Sequence, residues 1–255
     1  GIKKATEKLE VLCEEDLDWQ VSLIRTAISL CDHNQSVAEG DVRSPVQPVD
    51  VIAAVREVAL EDRLGTPTWL IVDYTSRTGE RELDLMKQDL YGGQAGAIAA
   101  LFACAHEMGD SDLLEFAQQA CEPMLRVLDD SSMRFRLQRD SGLGISGYGG
   151  VLRLMELFSN QGWNPRVGSM LPQTVALVEP TLIASGSGLD VISGIAGSLP
   201  IVARVSAQGG PGTDLAALMA RRLMEQQDAS GGWVLTSPGI KNQRPLTGLG
   251  HGASG

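Results

Sequence analysis

The chain has 255 residues, enough for one large domain or two small ones. Hydrophobic residues make up 43% of it and the formal net charge is −11, which describes a folded globular chain and argues against a nucleic-acid surface built from clustered Lys and Arg. No apolar run approaches the roughly 20 residues of a membrane span; the longest lies around Ala95 to Ala105.

Residues 5–31 are predicted to form an amphipathic helix, with Leu9, Leu12, Leu17, Val21, Ile24 and Ile28 recurring at helical steps. Residues 32–48 are polar, contain Pro45 and Pro48, and read as a linker. The first 48 residues are therefore set apart from a second region, 49–255. That region opens with a helix predicted over Val51 to Leu64. Thr68 to Thr75 is rich in β-branched and aromatic residues and, with the Thr78-Gly79 turn, predicts a short hairpin near residues 68–86.

An octapeptide then recurs four times: Asp89 to Gly96, Leu143 to Gly150, Asp190 to Gly197 and Gly248 to Gly255. Glycine holds its fifth and eighth positions in every copy: Gly93 and Gly96, Gly147 and Gly150, Gly194 and Gly197, Gly252 and Gly255. A period of about 50 residues signals a repeat architecture. The first three copies each introduce a nearly all-apolar helix: Ala97 to Ala105, Val151 to Phe158, and Leu199 to Val205 with Pro200 in its first turn. Amphipathic helices are expected between them at Ser111 to Leu128, Leu171 to Ile183 and Asp214 to Gln227, the last capped by Thr213 or Asp214. Pro123 and Pro180 should kink or end the first two.

A helix apolar on every side must be buried on every side, so the alternation predicts an all-α protein, an α/α toroid of inner and outer helices. The octapeptide would be the loop entering each inner helix. Its glycines would allow close approach and leave helix N-terminal N–H groups aimed at the ring's mouth, suited to anions or carbonyl oxygens.

Two copies carry chemistry. The third begins with Asp190, and the fourth has His251 where the others have Gly92, Ser146 and Ser193. On equivalent loops these two side chains would meet as a general acid/base pair. Asp89 shares the slot of Asp190 and reads better as a helix cap. The four cysteines, Cys13, Cys31, Cys104 and Cys121, are far apart and read as free buried thiols of a reducing, cytoplasmic setting. Cys31/His33 and Cys104/His106 cannot share a metal while helical, because residues two apart point about 200° from each other. Neither a Gly-x-Ser-x-Gly elbow nor a P-loop is present.

Taken in order, the octapeptides resemble the lanthionine synthetase C-like (LanC-like) cyclase family. Asp89-Leu90-Tyr91-Gly92-Gly93-Gln94-Ala95-Gly96 looks like its first glycine motif and Asp190 to Gly197 like its Asp-bearing motif. Pro245 to Gly255 is similar to its Ser/Gly-His-Gly turn. The resemblance covers residues 65–255. Leu9 to Leu30 is similar, less specifically, to the stretch joining dehydratase and cyclase in class II (LanM-type) synthetases.

The resemblance implies a toroid of seven inner and seven outer helices, of which about four repeats are present. It also implies addition of Cys thiols of a ribosomally made precursor peptide to dehydroalanine or dehydrobutyrine, giving lanthionine or methyllanthionine thioether rings. In it, His251 would do acid/base work and Asp190 would assist it. The family's zinc is held by two cysteines and a histidine in Trp-Cys-x-Gly and Cys-His-Gly motifs beyond the His-Gly turn. None of the four cysteines matches these, and the chain stops at Gly255. The expectation is therefore a fragment without metal ligands, inactive alone, with zinc in the full-length family member. Alternatives are a non-catalytic LanC-like protein that binds thiols or partners, and a terpenoid-cyclase-type toroid. The latter is suggested by Gln227-Asp228-Ala229-Ser230-Gly231-Gly232-Trp233, which fits that group's Gln-x-x-x-Gly-x-Trp repeat.

Overall fold

The computed structural model describes residues 48–74, 81–185, 188–229 and 231–233. The helix expected over 5–31, and the fourth octapeptide with His251, Gly252 and Gly255, lie outside the described residues.

The described chain is helical apart from two small hairpins. The described residues fall into two compact units, those up to 86 together with 103–123, and 87–102 together with those from 124 onward.

The first unit holds α1 (Pro48–Glu57), β1 (Leu60–Glu61), β2 (Pro67–Thr68), β3 (Leu70–Tyr74) and β4 (Arg81–Leu85). It also takes the end of α2 (Gln94–Met108) and all of α3 (Ser111–Ala120). The helix expected to run to Leu64 ends at Glu57 instead. Its apolar periodicity continues through Val58-Ala59-Leu60, but Leu60 pairs with Thr68 across an antiparallel register, and pairing overrides the helical pattern. The β1–β2 turn is organised by Asp62, whose carboxylate accepts from Leu64 N (2.9 Å), Thr66 N (3.0 Å) and the Thr66 hydroxyl (2.7 Å). The expected hairpin is β3–β4, with Leu70 opposite Leu85 and Tyr74 opposite Arg81. Trp69 is the anchor of this unit. It is 2% exposed, its indole N–H donates to Val55 O (2.8 Å), and its ring meets Phe116 of α3 edge-on at 6.2 Å.

The second unit contains the start of α2 and most of α4 (Glu122–Asp129). It continues with α5 (Ser131–Ser141), α6 (Tyr148–Gln161), α7 (Pro165–Ser169), α8 (Leu171–Ala176), α9 (Pro180–Ser185), α10 (Ile195–Ala207) and α11 (Thr213–Glu225). Pro123 and Pro180 break the long segments as expected. A turn at Cys121 separates α3 from α4, with Pro123 at the second position of α4, and Pro180 opens α9 after α8 has ended. Two helices, α5 and α7, were not anticipated. Asp130 caps α5 by accepting from Ser132 N (2.8 Å) and Met133 N (2.9 Å), and Asn164 caps α7 through Val167 N (3.1 Å). The cap expected for α11 from Thr213 or Asp214 is instead Gly212, with no side-chain hydrogen bond.

α6 and α10 pack against each other, each with a second helix layer: α6 against α7 and α8, α10 against α8 and α11. These are the paired inner and outer helices of an α/α toroid. α6 largely matches the expectation of burial, with Val151, Leu152, Leu154, Met155 and Phe158 at 0% exposure and Arg153 alone of residues 151–158 exposed. Its Phe158 ring lies 4.5 Å from that of Phe102. α10 does not: Pro200, Ala203 and Arg204 are exposed, as is Ala100 on α2. Exposed alanine and proline expose little apolar area, so apolar composition there records small side chains rather than full burial. Pro200 also sits in the sixth position of α10, not its first turn.

Candidate functional site

Each inner helix of the second unit begins at the sixth residue of an octapeptide: α2 at Gln94, α6 at Tyr148, α10 at Ile195. The five residues before it form the entering loop. Three such loops lie edge to edge through backbone hydrogen bonds. Leu90 N donates to Ile145 O (3.1 Å), joining the first loop to the second. Ile145 N donates to Val191 O (3.1 Å), and Ser146 donates to Ile192 O through its backbone N–H (2.8 Å) and its hydroxyl (2.7 Å), joining the second to the third.

The glycines follow from this spacing. A Cβ on the fifth-position glycines, Gly93, Gly147 or Gly194, would overlap the carbonyl of Lys87, Ser141 or Gly188, six residues earlier in each copy. The eighth-position glycines face the preceding copy as well. A Cβ on Gly150 would stand 2.5 Å from Leu90 N, and one on Gly197 2.9 Å from Gly144 Cα. Real Cβ atoms do not approach backbone this closely, so glycine is required by contact between main chains.

The first-turn N–H groups do not point free into solvent, which corrects the expectation of an anion-receptive mouth. Gln94 N donates to Lys87 O (2.6 Å), Tyr148 N to Gly142 O (2.9 Å) and Ile195 N to Gly188 O (2.9 Å). Ala196 N reaches Leu189 O (3.3 Å). The entering loop curls back and supplies carbonyls to the donors that a helix start leaves over.

Asp190 is 9% exposed and faces its own loop. Its Oδ1 accepts from Ser193 N (2.6 Å), Gly194 N (3.1 Å) and the Ser193 hydroxyl (3.0 Å), which also lies 3.2 Å from Oδ2. Asp89 does the same with one bond, accepting from Gly92 N at 2.8 Å; Gly92 lies two residues before α2 begins, so this bond folds the loop and is not the helix cap expected of Asp89. The second copy replaces the carboxylate with the buried Leu143. Of the two residues read as catalytic, Asp190 is thus bonded to the tip of its loop, and His251 lies outside the described residues. The residue of Asp190's loop most available to solvent is Ser193, at the fourth position; Gly92 at the same position of the first copy is likewise exposed.

Three buried polar residues behind the loops escaped the sequence reading. Tyr148 is fully buried and donates its phenol to Thr174 O (3.0 Å). Burial holds that phenol well above its ordinary range, against smaller opposing effects of Arg134 and Gln138. Gln138 of α5 donates to Leu177 O (2.9 Å) and accepts from Glu179 N (2.7 Å), tying α5 to the α8–α9 connection. Glu156 of α6 is 3% exposed and is paired with Arg153 and with Arg204 of α10. No periodic pattern announces such residues; a Glu inside an apolar helix was the available signal for Glu156.

Cys121 is a buried thiol outside any disulfide and directed at Ala117 O (3.5 Å), and Cys104, also outside any disulfide, is half-buried. Among the described residues no three His, Cys, Asp or Glu side chains group to hold a metal ion, so these residues do not fit a zinc site. Among them too, no helix is long and apolar enough to cross a membrane.

These features define an all-α protein of paired helices whose inner members are entered through interlocked glycine loops. The chain belongs to the lanthionine synthetase C-like protein family, whose sequence model matches residues 84–255 and takes in all four octapeptides. Membership brings a lanthionine-cyclase type of function acting on peptides, and the family assignment displaces the terpenoid-cyclase alternative. No curated protein is significantly similar to the chain in sequence.

Proposed function

We propose that the chain is part of the cyclase of a class II (LanM-type) lanthipeptide synthetase, working in the cytoplasm on a dehydrated, Cys-containing precursor peptide. A peptide thiol loses its proton and its sulfur bonds to the β-carbon of dehydroalanine or dehydrobutyrine. The double-bond electrons move to the α-carbon side as an enolate, and a proton is returned to the α-carbon. The product is an isomer of the reactants, so no oxidant or leaving group is needed. A free thiol ionises near pH 8.5, so at neutral pH it must give up a proton to react, and the enolate must then take one up.

His251 is the group proposed to move that proton. The carrying observation is that the fourth octapeptide position is solvent-facing in the loops of Gly92 and Ser193. It is also the position at which the fourth copy has His. Asp190 serves as a positioning residue, its carboxylate fixing the Ser193–Gly194 tip.

The test is ring closure on a dehydrated peptide, followed by mass spectrometry after thiol alkylation, since cyclisation itself leaves the mass unchanged. In the synthetase, His251→Ala should slow closure by about 10²- to 10⁴-fold. Closure at the wild-type rate would remove His251 from the mechanism. A wild-type protein that binds the peptide yet closes no ring would instead identify a non-cyclising member of the family.

A further inference from the structure

The Arg153–Glu156–Arg204 cluster lies outside the loops and is used by none of the steps above. Glu156 sits on α6, nearly sealed from solvent at 3% exposure, and its two oxygens take different partners. Oε2 accepts from Arg153 Nη1 on the same helix, and Oε1 from Arg204 Nη1 on α10. The two arginine side chains remain 52% and 48% exposed. One carboxylate against two guanidiniums leaves a net positive charge at the surface of a chain that carries −11 overall.

The direction of this surface follows from α10. Val202 faces the outer layer, since a Cβ on Gly212 would lie 3.1 Å from both Val202 Cγ1 and Val175 Cγ1 of α8. Arg204, two residues on, is turned about 200° around the helix from Val202. It therefore projects from the side of α10 that carries Pro200 and Ala203, the exposed side of the inner helices.

We propose that Arg153 and Arg204 form a carboxylate-binding site that holds an acidic side chain of the substrate peptide against the inner-helix wall. The proposal rests on the peptide-acting reading given above. Guanidinium presents five donors in a rigid fork, and Glu156 engages one nitrogen of each. The buried carboxylate holds one nitrogen of each side chain, and the rest of each guanidinium belongs to a half-exposed side chain with donors to spare. Two long side chains ordered before binding lose little entropy when a ligand arrives. Planar donors of this kind suit a carboxylate better than a neutral amide.

The test uses two fluorescein-labelled short peptides, each with one Cys, identical except for a single Glu replaced by Gln, titrated into the purified chain by fluorescence anisotropy. The Glu peptide should bind about tenfold more tightly, the size expected of charge-assisted bonds. Arg153→Gln and Arg204→Gln should each remove most of that preference, and so should high salt. A merely structural tie between α6 and α10 would lower the melting temperature in these variants and leave the Glu/Gln ratio intact. Should Arg204→Gln fail to fold, Arg153→Gln, whose bond lies within one helix, gives the same comparison. Equal binding of the two peptides by the wild-type chain, or a preference that survives in the Arg variants, overturns the carboxylate site and leaves the peptide-acting reading standing. Binding of neither peptide counts against both.

Discussion

Gly150→Ala puts one methyl group where two repeats meet. Its Cβ would overlap Ile145 O and stand 2.5 Å from Leu90 N and 3.0 Å from Leu90 Cβ. The two nearest atoms in the way are backbone, and they are the two ends of the Leu90–Ile145 hydrogen bond. Forcing extra volume into a packed site costs about 1–3 kcal/mol. Loss of the bond adds about 1 kcal/mol. Alanine's better helix propensity returns about 1 kcal/mol, because Gly150 is the third residue of α6. The net expectation is a loss of about 1–3 kcal/mol, or roughly 3–10 °C in melting temperature for a domain of this size. Gly92→Ala is the matched control. A Cβ there meets nothing within 4 Å, and the backbone needs no left-handed conformation. That variant should stay within about 0.5 kcal/mol of wild type. Urea unfolding followed by circular dichroism compares the two directly. Equal stabilities for Gly150→Ala and Gly92→Ala would refute the view that main-chain contact between repeats demands the eighth-position glycine.

Tyr148→Phe should cost about 1 kcal/mol at neutral pH through loss of the bond to Thr174 O. Its pH dependence is the sharper readout. The unfolded phenol ionises near pH 10 and the buried one higher, so its contribution is whole below about pH 10 and is lost as pH rises toward the folded value. Unfolding free energy between pH 9.5 and 11 should therefore fall more steeply in wild type than in Tyr148→Phe; parallel curves would contradict this. Asp190→Ala should lower stability by about 1–2 kcal/mol in urea titration, since Ser193 N and Gly194 N both lose an acceptor. Asp190→Asn, which keeps an oxygen in place, should lower it less. Pro200→Ala should raise the melting temperature, because a backbone N–H returns to the interior of α10 on an exposed face; a lower melting temperature would show the ring to be packed usefully.

What the sequence revealed and what it hid have different physical origins. The start of each inner helix was legible because glycine at two fixed positions is a backbone requirement that no tertiary partner alters. Helix α5 was not. Only Gln138 of its residues is buried, while Met133 and Phe135 are 46% and 41% exposed, so it has no apolar stripe to read. It owes its start to the Asp130 cap and its place to the Gln138 bonds, and those partners lie 39 and 41 residues away. The end of α1 was missed for a similar reason, since Leu60 fits a helix face until Thr68 arrives to pair with it. Asp190 was visible as an acid in a glycine turn. Its bonds to Ser193 and Gly194 are local, and a four-residue look ahead would have suggested a loop-folding role beside the catalytic reading.

The joint between repeats consists almost wholly of main-chain atoms, and its tightest points are glycines. The fourth octapeptide position takes no steric part in the first copy, where Gly92 has open space around it. Glycine, serine and serine hold that position in the three described loops, the serines bonding back to Ile192 O and to Asp190, so one main-chain frame accommodates different side chains there; the fourth copy carries histidine in the sequence. A protein built this way can gain or discard a reactive group by a single codon change while its architecture stays the same.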